Sequence, residues 1–138
     1  MTDPNRRSFL KASSAAAAGL AFLPNAHARG NDVIKVGLVG CGGRGTGAVD
    51  NICEAAGTTY NIKIVAMGDV FEDHLRNCRE ATKNGGNSKD KYDVSDDRCF
   101  VGLDAYKKVI EASDLVILAT PPGFRPQHIE AVIEAGKN

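Results

Sequence analysis

The stretch Val36-Gly37-Leu38-Val39-Gly40-Cys41-Gly42-Gly43-Arg44-Gly45 decides the fold. An apolar, β-branched run ends at Gly40 and passes directly into a G-x-G-x-x-G turn. Such a turn carries information only in context: after a strand, opening a helix, inside a βαβ unit. All three conditions hold here. Val33–Val39 reads as a buried strand, Gly40–Gly45 as the turn, and Thr46–Ala56 as a helix with Ala48, Val49, Ile52 and Ala56 on one face. Gly57 stops that helix.

Outward from this unit the same alternation continues. Ile62–Met67 is a second strand, and Phe71–Lys83 a second helix whose apolar positions are Phe71, Leu75 and Cys78. Asn84–Asp97 is polar and reads as an exposed loop. Cys99–Val101 is a short third strand, and Leu103, Tyr106, Val109 and Ile110 mark a third helix. Asp114–Thr120 is apolar without alternation, as expected of a parallel strand covered on both faces. Pro121-Pro122-Gly123 breaks the chain, Pro126 begins a fourth helix with Ile129, Val132 and Ile133 as its stripe, and Gly136 ends it. Alternating strands and helices predict an α/β protein: a Rossmann-type parallel sheet with helices on both faces.

Each glycine of the turn has a physical task in such a fold. Gly40 permits the tight turn. Gly42, without a Cβ, lets the backbone approach a pyrophosphate. Gly45 lets the helix pack closely on the strand. The helix N-terminus then offers amides and a favourable dipole to phosphate. Cys41, Gly43 and Arg44 complete the turn; Arg44 either contacts the pyrophosphate or is simply solvated. An acid is expected at the end of the second strand, and Asp69 stands there. Its carboxylate would accept hydrogen bonds from ribose hydroxyls and repel a 2′-phosphate, favouring NAD over NADP. The other reading of Asp69 is an N-cap for the Phe71 helix. Thr120, Pro121 and Pro122 follow the last strand at the carboxyl edge, where ligand crevices open; they also fit a rigid turn with a helix cap. His74 reads as a surface residue, and His128 as a plain polar helix position rather than a group facing the crevice.

Composition narrows the function further. Seventeen basic residues balance seventeen acidic ones in 138, which gives no basic stripe for nucleic acid. No apolar run reaches the roughly 18–20 residues of a membrane span, so no membrane association is expected of the mature part. G-x-S-x-G, H-E-x-x-H and the P-loop lysine do not occur, which leaves hydrolase and kinase readings without support. Cys41, Cys53, Cys78 and Cys99 have no C-x-x-C spacing, so no metal site is expected. They are expected as free, mostly buried thiols, with two disulfides as the alternative.

Asn5-Arg6-Arg7-Ser8-Phe9-Leu10-Lys11, then the Ala-rich Ala12–Leu23, then Ala26-His27-Ala28 have the order of an export signal with a small-x-small cleavage site. They resemble a twin-arginine (Tat) signal peptide, although Asn5 departs from the usual Ser or Thr. The expected division is a signal at 1–28 and a dinucleotide-binding domain at 29–138. The expected location is the periplasm or beyond, reached through the twin-arginine export machinery. Removing the signal leaves 14 basic and 16 acidic residues. That route carries proteins already folded, which suits a chain that takes up its nucleotide in the cytoplasm.

Taken together, the glycine stretch, Gly68-Asp69-Val70, Leu118-Ala119-Thr120-Pro121-Pro122 and Glu134-Ala135-Gly136-Lys137 resemble the amino-terminal half of the Gfo/Idh/MocA oxidoreductase family, over Val33–Lys137. The resemblance implies a nicotinamide cofactor at the glycine turn, with Thr120 and Pro121 lining the site. It also implies a second α/β domain that carries the substrate groups. Members of the family oxidise or reduce sugars, inositols and related polyols, and some use NAD transiently to cleave glycosidic bonds. A homo-oligomer is compatible with the whole enzyme. Members continue past Ala-Gly-Lys into a strand and a Glu-Lys-Pro motif, absent here, so no catalytic residue is assigned. An incomplete domain, with the sheet edge beside Asp114–Thr120 open, is the expectation. An inactive nucleotide-binding fragment is the non-enzymatic alternative. Many members carry a His where Arg125 falls.

Overall fold

The computed structural model describes residues 32–138. Four strands, β1 (Ile34–Val39), β2 (Ile62–Asp69), β3 (Cys99–Val101) and β4 (Leu115–Leu118), form one sheet in the order β3-β2-β1-β4. Every pairing is parallel. Four helices connect or follow them: α1 (Gly43–Ala56), α2 (Glu72–Asn84), α3 (Ala105–Ala112) and α4 (Arg125–Glu134). A parallel sheet must be covered on both faces, and the core divides accordingly. On one face Val36, Leu38, Ile64 and Met67 meet Val49 and Cys53 of α1 and Leu75 and Cys78 of α2. On the other, Val39, Val65 and Ala66 meet Tyr106, Val109 and Ile110 of α3 and Val132 of α4. The expected α/β architecture is therefore present.

Side chains on a strand alternate in facing, yet Val65 and Ala66 both pack toward α3. The cause is a slip in register between β1 and β2: Val36 pairs with Ile64, but Gly37 pairs with Ala66. Close packing of α3 on the sheet depends on two strand glycines. A Cβ at Gly37 would lie 2.6 Å from Val109 Cγ1, and one at Gly68 would lie 2.9 Å from Val109 Cγ2. The completely buried Val109 thus occupies space that larger residues would deny it.

Several expectations about faces and loops need correction. Phe71 lies outside α2, as the residue before its first turn, and is exposed; the buried face is Leu75, Cys78 and Thr82. Leu103 likewise precedes α3 and is exposed. On α4 the inward residues are His128 and Val132, whereas Ile129 and Ile133 face outward. The segment after α2 is not simply an exposed loop. It holds two short 3-10 turns, Lys89–Lys91 and Asp96–Arg98, and sends Val94 into the core. Ser88 is buried and donates to the Thr82 carbonyl at 2.9 Å, which satisfies its hydroxyl. Tyr92 bridges alongside Ile64, accepts from Arg79 Nε at 2.8 Å and donates to the Val94 carbonyl at 3.0 Å. Arg79 also pairs with Asp96.

The fourth strand is half-buried along its length, rather than fully covered. Its outer edge is not wholly open. Asn138 N donates to the Asp114 carbonyl at 3.2 Å and Asn138 O accepts from Val116 N at 2.7 Å, so Asn138 lies beside β4 in parallel register. Among the described residues no helix is long and apolar enough to cross a membrane, and no cluster of three or more His, Cys, Asp or Glu could hold a metal ion. The expected signal and its cleavage site fall outside the described residues.

Candidate functional site

The carboxyl ends of β1, β2 and β4 open into a cavity of about 450 Å³. Its position follows from topology: β1 leads to a helix on one face and β4 to a helix on the other, so the chain diverges between them. Gly40, Gly42, Gly43 and Arg44 form one wall, Asp69 and Phe71 another, and Thr120, Pro121 and His128 a third.

The glycine turn is built by close approach. Gly40 has φ +94°, and a Cβ there would stand 2.8 Å from Ala119 C and 2.9 Å from Thr120 N. Only glycine meets both conditions. Gly45 packs against the same turn: its Cβ would lie 1.9 Å from the Gly40 carbonyl oxygen. Gly42 is different, because a Cβ there would meet nothing within 4 Å. Its bareness serves no internal packing and leaves main chain facing open space. The expected helix start at Thr46 moves forward, since α1 already begins at Gly43 with Gly42 as its cap. The cap makes no side-chain hydrogen bond, and the first turn holds no acid. The positive end of that helix is therefore not neutralised by its own side chains.

Asp69 closes the corner. Its Oδ2 accepts from Cys41 N at 2.6 Å, and its Oδ1 accepts from Phe71 N at 2.9 Å. The carboxylate thus clamps the glycine turn to the end of β2. It is not the N-cap of α2, whose capping residue is Phe71; it closes a local turn onto the Phe71 amide instead. His74 Nδ1 stands 3.7 Å from Asp69 Oδ1, with its ring edge-on to Phe71 at 5.2 Å. His74 is solvent-exposed, as expected, but lies on the cavity rim beside the acid.

Cys41 and Gly45 belong to the turn without lining the cavity, and Pro122 is exposed outside it. The Cys41 thiol points into the core and contacts the Gly68 carbonyl at 3.5 Å. A hydrogen bond with Cys78, together with burial, pushes it far above the ordinary thiol range, so it stays protonated. All four cysteines are free thiols.

Sequence reasoning missed part of the site. His128, expected as a plain helix position, is only 5% exposed and faces the crevice. Its Nδ1 lies 3.2 Å from Thr120 Oγ1, and its ring lies against Tyr106 at 4.3 Å, tilted by 30°. Burial lowers its proton affinity, which favours the neutral imidazole. Tyr106, expected only as core, lines the same cavity, as does the exposed Phe124. Their one sequence signal was position, next to the carboxyl ends of the strands.

The fold defines a class: a Rossmann-type α/β domain, with a crevice at the carboxyl ends of its parallel strands. Comparisons with known proteins agree. Residues 3–22 match the family model for the TAT (twin-arginine translocation) pathway signal sequence. The chain is 27% identical over 128 residues to a glycosyl hydrolase family 109 protein of Solibacter usitatus, covering 91% of this chain and 26% of that protein. The crystal structure of scyllo-inositol dehydrogenase from Lactobacillus casei, with bound cofactor NAD(H) and scyllo-inositol, superposes with a TM-score of 0.56 at 23% identity. That match covers 78% of this chain and 27% of the dehydrogenase. The chain therefore spans about a quarter of the length of each. Both matches bear out the resemblance to the Gfo/Idh/MocA family, and the signal directs the chain to export by the twin-arginine pathway.

Proposed function

We propose that the chain is the NAD-binding domain of an exported oxidoreductase that moves hydride between a nicotinamide cofactor and a sugar or polyol. The observation that carries the reading is the joint geometry of Gly42 and Asp69. Bare main chain at a helix N-terminus faces the cavity, and a carboxylate stands at the end of the adjacent strand. A pyrophosphate fits the first and an adenosine ribose the second. Gly40, Gly42, Gly43, Arg44, Asp69, Thr120 and Pro121 would meet the dinucleotide, while Cys41, Gly45 and Pro122 support the turns that hold them. When bound, the cofactor supplies the hydride chemistry; this chain binds and orients it. The domain would comprise 29–138, with 1–28 removed at export. A small-molecule substrate would require further protein, because the dehydrogenase that binds scyllo-inositol is nearly four times longer than the matched region.

A second reading has its own support. The relative described as a glycosyl hydrolase suggests that the same scaffold serves an NAD-dependent glycosidase, with hydride transferred internally and no net redox change. An inactive nucleotide-binding fragment is the third. Titration calorimetry with NAD and NADP tests the cofactor assignment. NAD is expected to bind more tightly, and Asp69→Ala to relax that preference. Equal affinities in the unaltered chain would remove the role given to Asp69, and no binding of either would remove the assignment itself.

A further inference from the structure

Three ties run from the first turn of α4 to Thr120 and Tyr106 at the crevice. Arg125 Nε donates to the Thr120 carbonyl at 3.0 Å, Gln127 Nε2 donates to Tyr106 Oη at 3.1 Å, and His128 Nδ1 meets Thr120 Oγ1 at 3.2 Å. The His128 ring is held between Tyr106 of α3, at 4.3 Å and 30°, and Phe124, at 6.2 Å and 21°. A ring so fixed directs its nitrogen along one line, toward the Thr120 hydroxyl. Thr120 in turn touches the glycine corner, because the Ala119–Thr120 peptide fills the space where a Gly40 side chain would stand. The position of Thr120 is therefore set from both sides: by Gly40 beneath it and by His128 behind it.

We propose that His128 is a positioning residue of the dinucleotide site, which acts through Thr120: its imidazole fixes the threonine hydroxyl at the cavity wall, in the orientation that a bound nucleotide meets. This rests on the reading of the cavity as a dinucleotide site. Burial of an imidazole is costly unless its polar atoms are matched, and the match here is a residue that lines the crevice. Packing alone would be served better by an apolar ring. The groups facing His128 are the Thr120 hydroxyl from the turn after β4, the Tyr106 phenol from α3 and the Phe124 ring before α4; Arg125 is engaged with the Thr120 carbonyl. Protonation of His128 would put a positive charge against the Thr120 hydroxyl and leave Nδ1 able only to donate.

Two substitutions separate hydrogen bonding from packing. His128→Asn keeps a polar atom close to the position of Nδ1 and loses the ring; His128→Phe keeps the ring and loses the nitrogen. With the full chain, His128→Phe and Thr120→Val are each expected to weaken NAD binding about fivefold to tenfold, the worth of one buried hydrogen bond. His128→Asn should stay within about threefold of the unaltered chain, and the double variant His128→Phe/Thr120→Val should be no weaker than either single one. NAD affinity of the unaltered chain should also fall as pH drops below the ordinary histidine value, about pH 6.5, and should fall less steeply in His128→Asn, which keeps the rim imidazole of His74. Affinity preserved in His128→Phe but lost in His128→Asn would show packing alone and overturn the proposal. The ¹⁵N resonance of His128 Nδ1 in the nucleotide-free chain gives a reading independent of ligand: it should move on Thr120→Val, and an unmoved resonance refutes the link. An unaltered chain that binds no NAD, yet shows that movement, would refute the dinucleotide reading and leave the His128–Thr120 link standing.

Discussion

Asp69→Asn is the sharpest test of how the glycine corner is held. The carboxylate accepts two backbone amides, from Cys41 at 2.6 Å and Phe71 at 2.9 Å, and its side chain is 9% exposed. Hydrogen bonds to a charged acceptor are worth roughly 1.5–3 kcal/mol each. The amide of Asn has the same shape but only one acceptor oxygen. One of the two N–H groups keeps a weaker, neutral bond, and the other faces the NH₂ group, donor against donor. An unpaired, partly buried donor costs about 1–3 kcal/mol. The net loss should be about 2–4 kcal/mol, or roughly 8–16 °C in melting temperature for a domain of this size. Circular dichroism melts of the chain without nucleotide measure it. His74→Gln is the control: it removes the 3.7 Å approach of a half-exposed imidazole and its edge contact with the exposed Phe71 ring, and should shift the melt by less than about 3 °C. If Asp69→Asn melts within about 2 °C of the unaltered chain, the carboxylate does not clamp the turn. The geometry described for the site then fails with it.

Other perturbations follow from the same contacts. Gly45→Ala places a methyl 1.9 Å from the Gly40 carbonyl oxygen, which is backbone and cannot turn aside, and should cost at least about 2 kcal/mol in urea unfolding; an unchanged midpoint would show that α1 does not rest on the turn. Gly42→Ala meets nothing within 4 Å, so its stability should change by less than about 1 kcal/mol while NAD affinity falls tenfold or more; unchanged affinity would remove the pyrophosphate from this corner. Burial lowers the proton affinity of His128 in the folded chain, so the unfolded chain binds the extra proton first. The corresponding stability is fully present above the unfolded histidine value, about pH 6.5, and is lost as pH falls through the lower folded value. Urea midpoints at neutral and mildly acidic pH should show this step in the unaltered chain and not in His128→Asn; equal pH dependence in both would refute it. Cys41, Cys53 and Cys78 are at most 3% exposed and Cys99 is half-buried, so a thiol reagent should label at most one cysteine in the native chain and all four in denaturant. Fewer than four under non-reducing denaturation would reveal disulfides.

What the sequence revealed, and what it concealed, follows from the range of the physics involved. The glycine turn was legible because its demands are local: a positive φ at Gly40 and a close helix at Gly45 leave no other residue possible. The four strands were legible because a parallel sheet calls for short, mainly apolar runs, which persist here despite Lys35 in β1 and Lys63 in β2. Asp69 was legible in place but not in engagement, since its partner amide lies 28 residues away on another strand end. The segment Asn84–Asp97 misled because its polarity is turned inward: Ser88 and Tyr92 satisfy their hydroxyls on nearby carbonyls, and Val94 is carried into the core among them. The clearest failure is the phase of α4. Ile129, Val132 and Ile133 make one plausible apolar stripe, and His128, Ala131 and Val132 another, rotated by one residue. Hydrophobicity alone favours the first. The second prevails because the inward position of His128 is met by a hydroxyl from Thr120 and a ring from Tyr106, neither of which is visible until β4 and α3 are in place. A polar residue that chooses the buried face of a helix against the apolar count does so because the site supplies its partners, and that choice is itself evidence that the crevice is organised around Thr120.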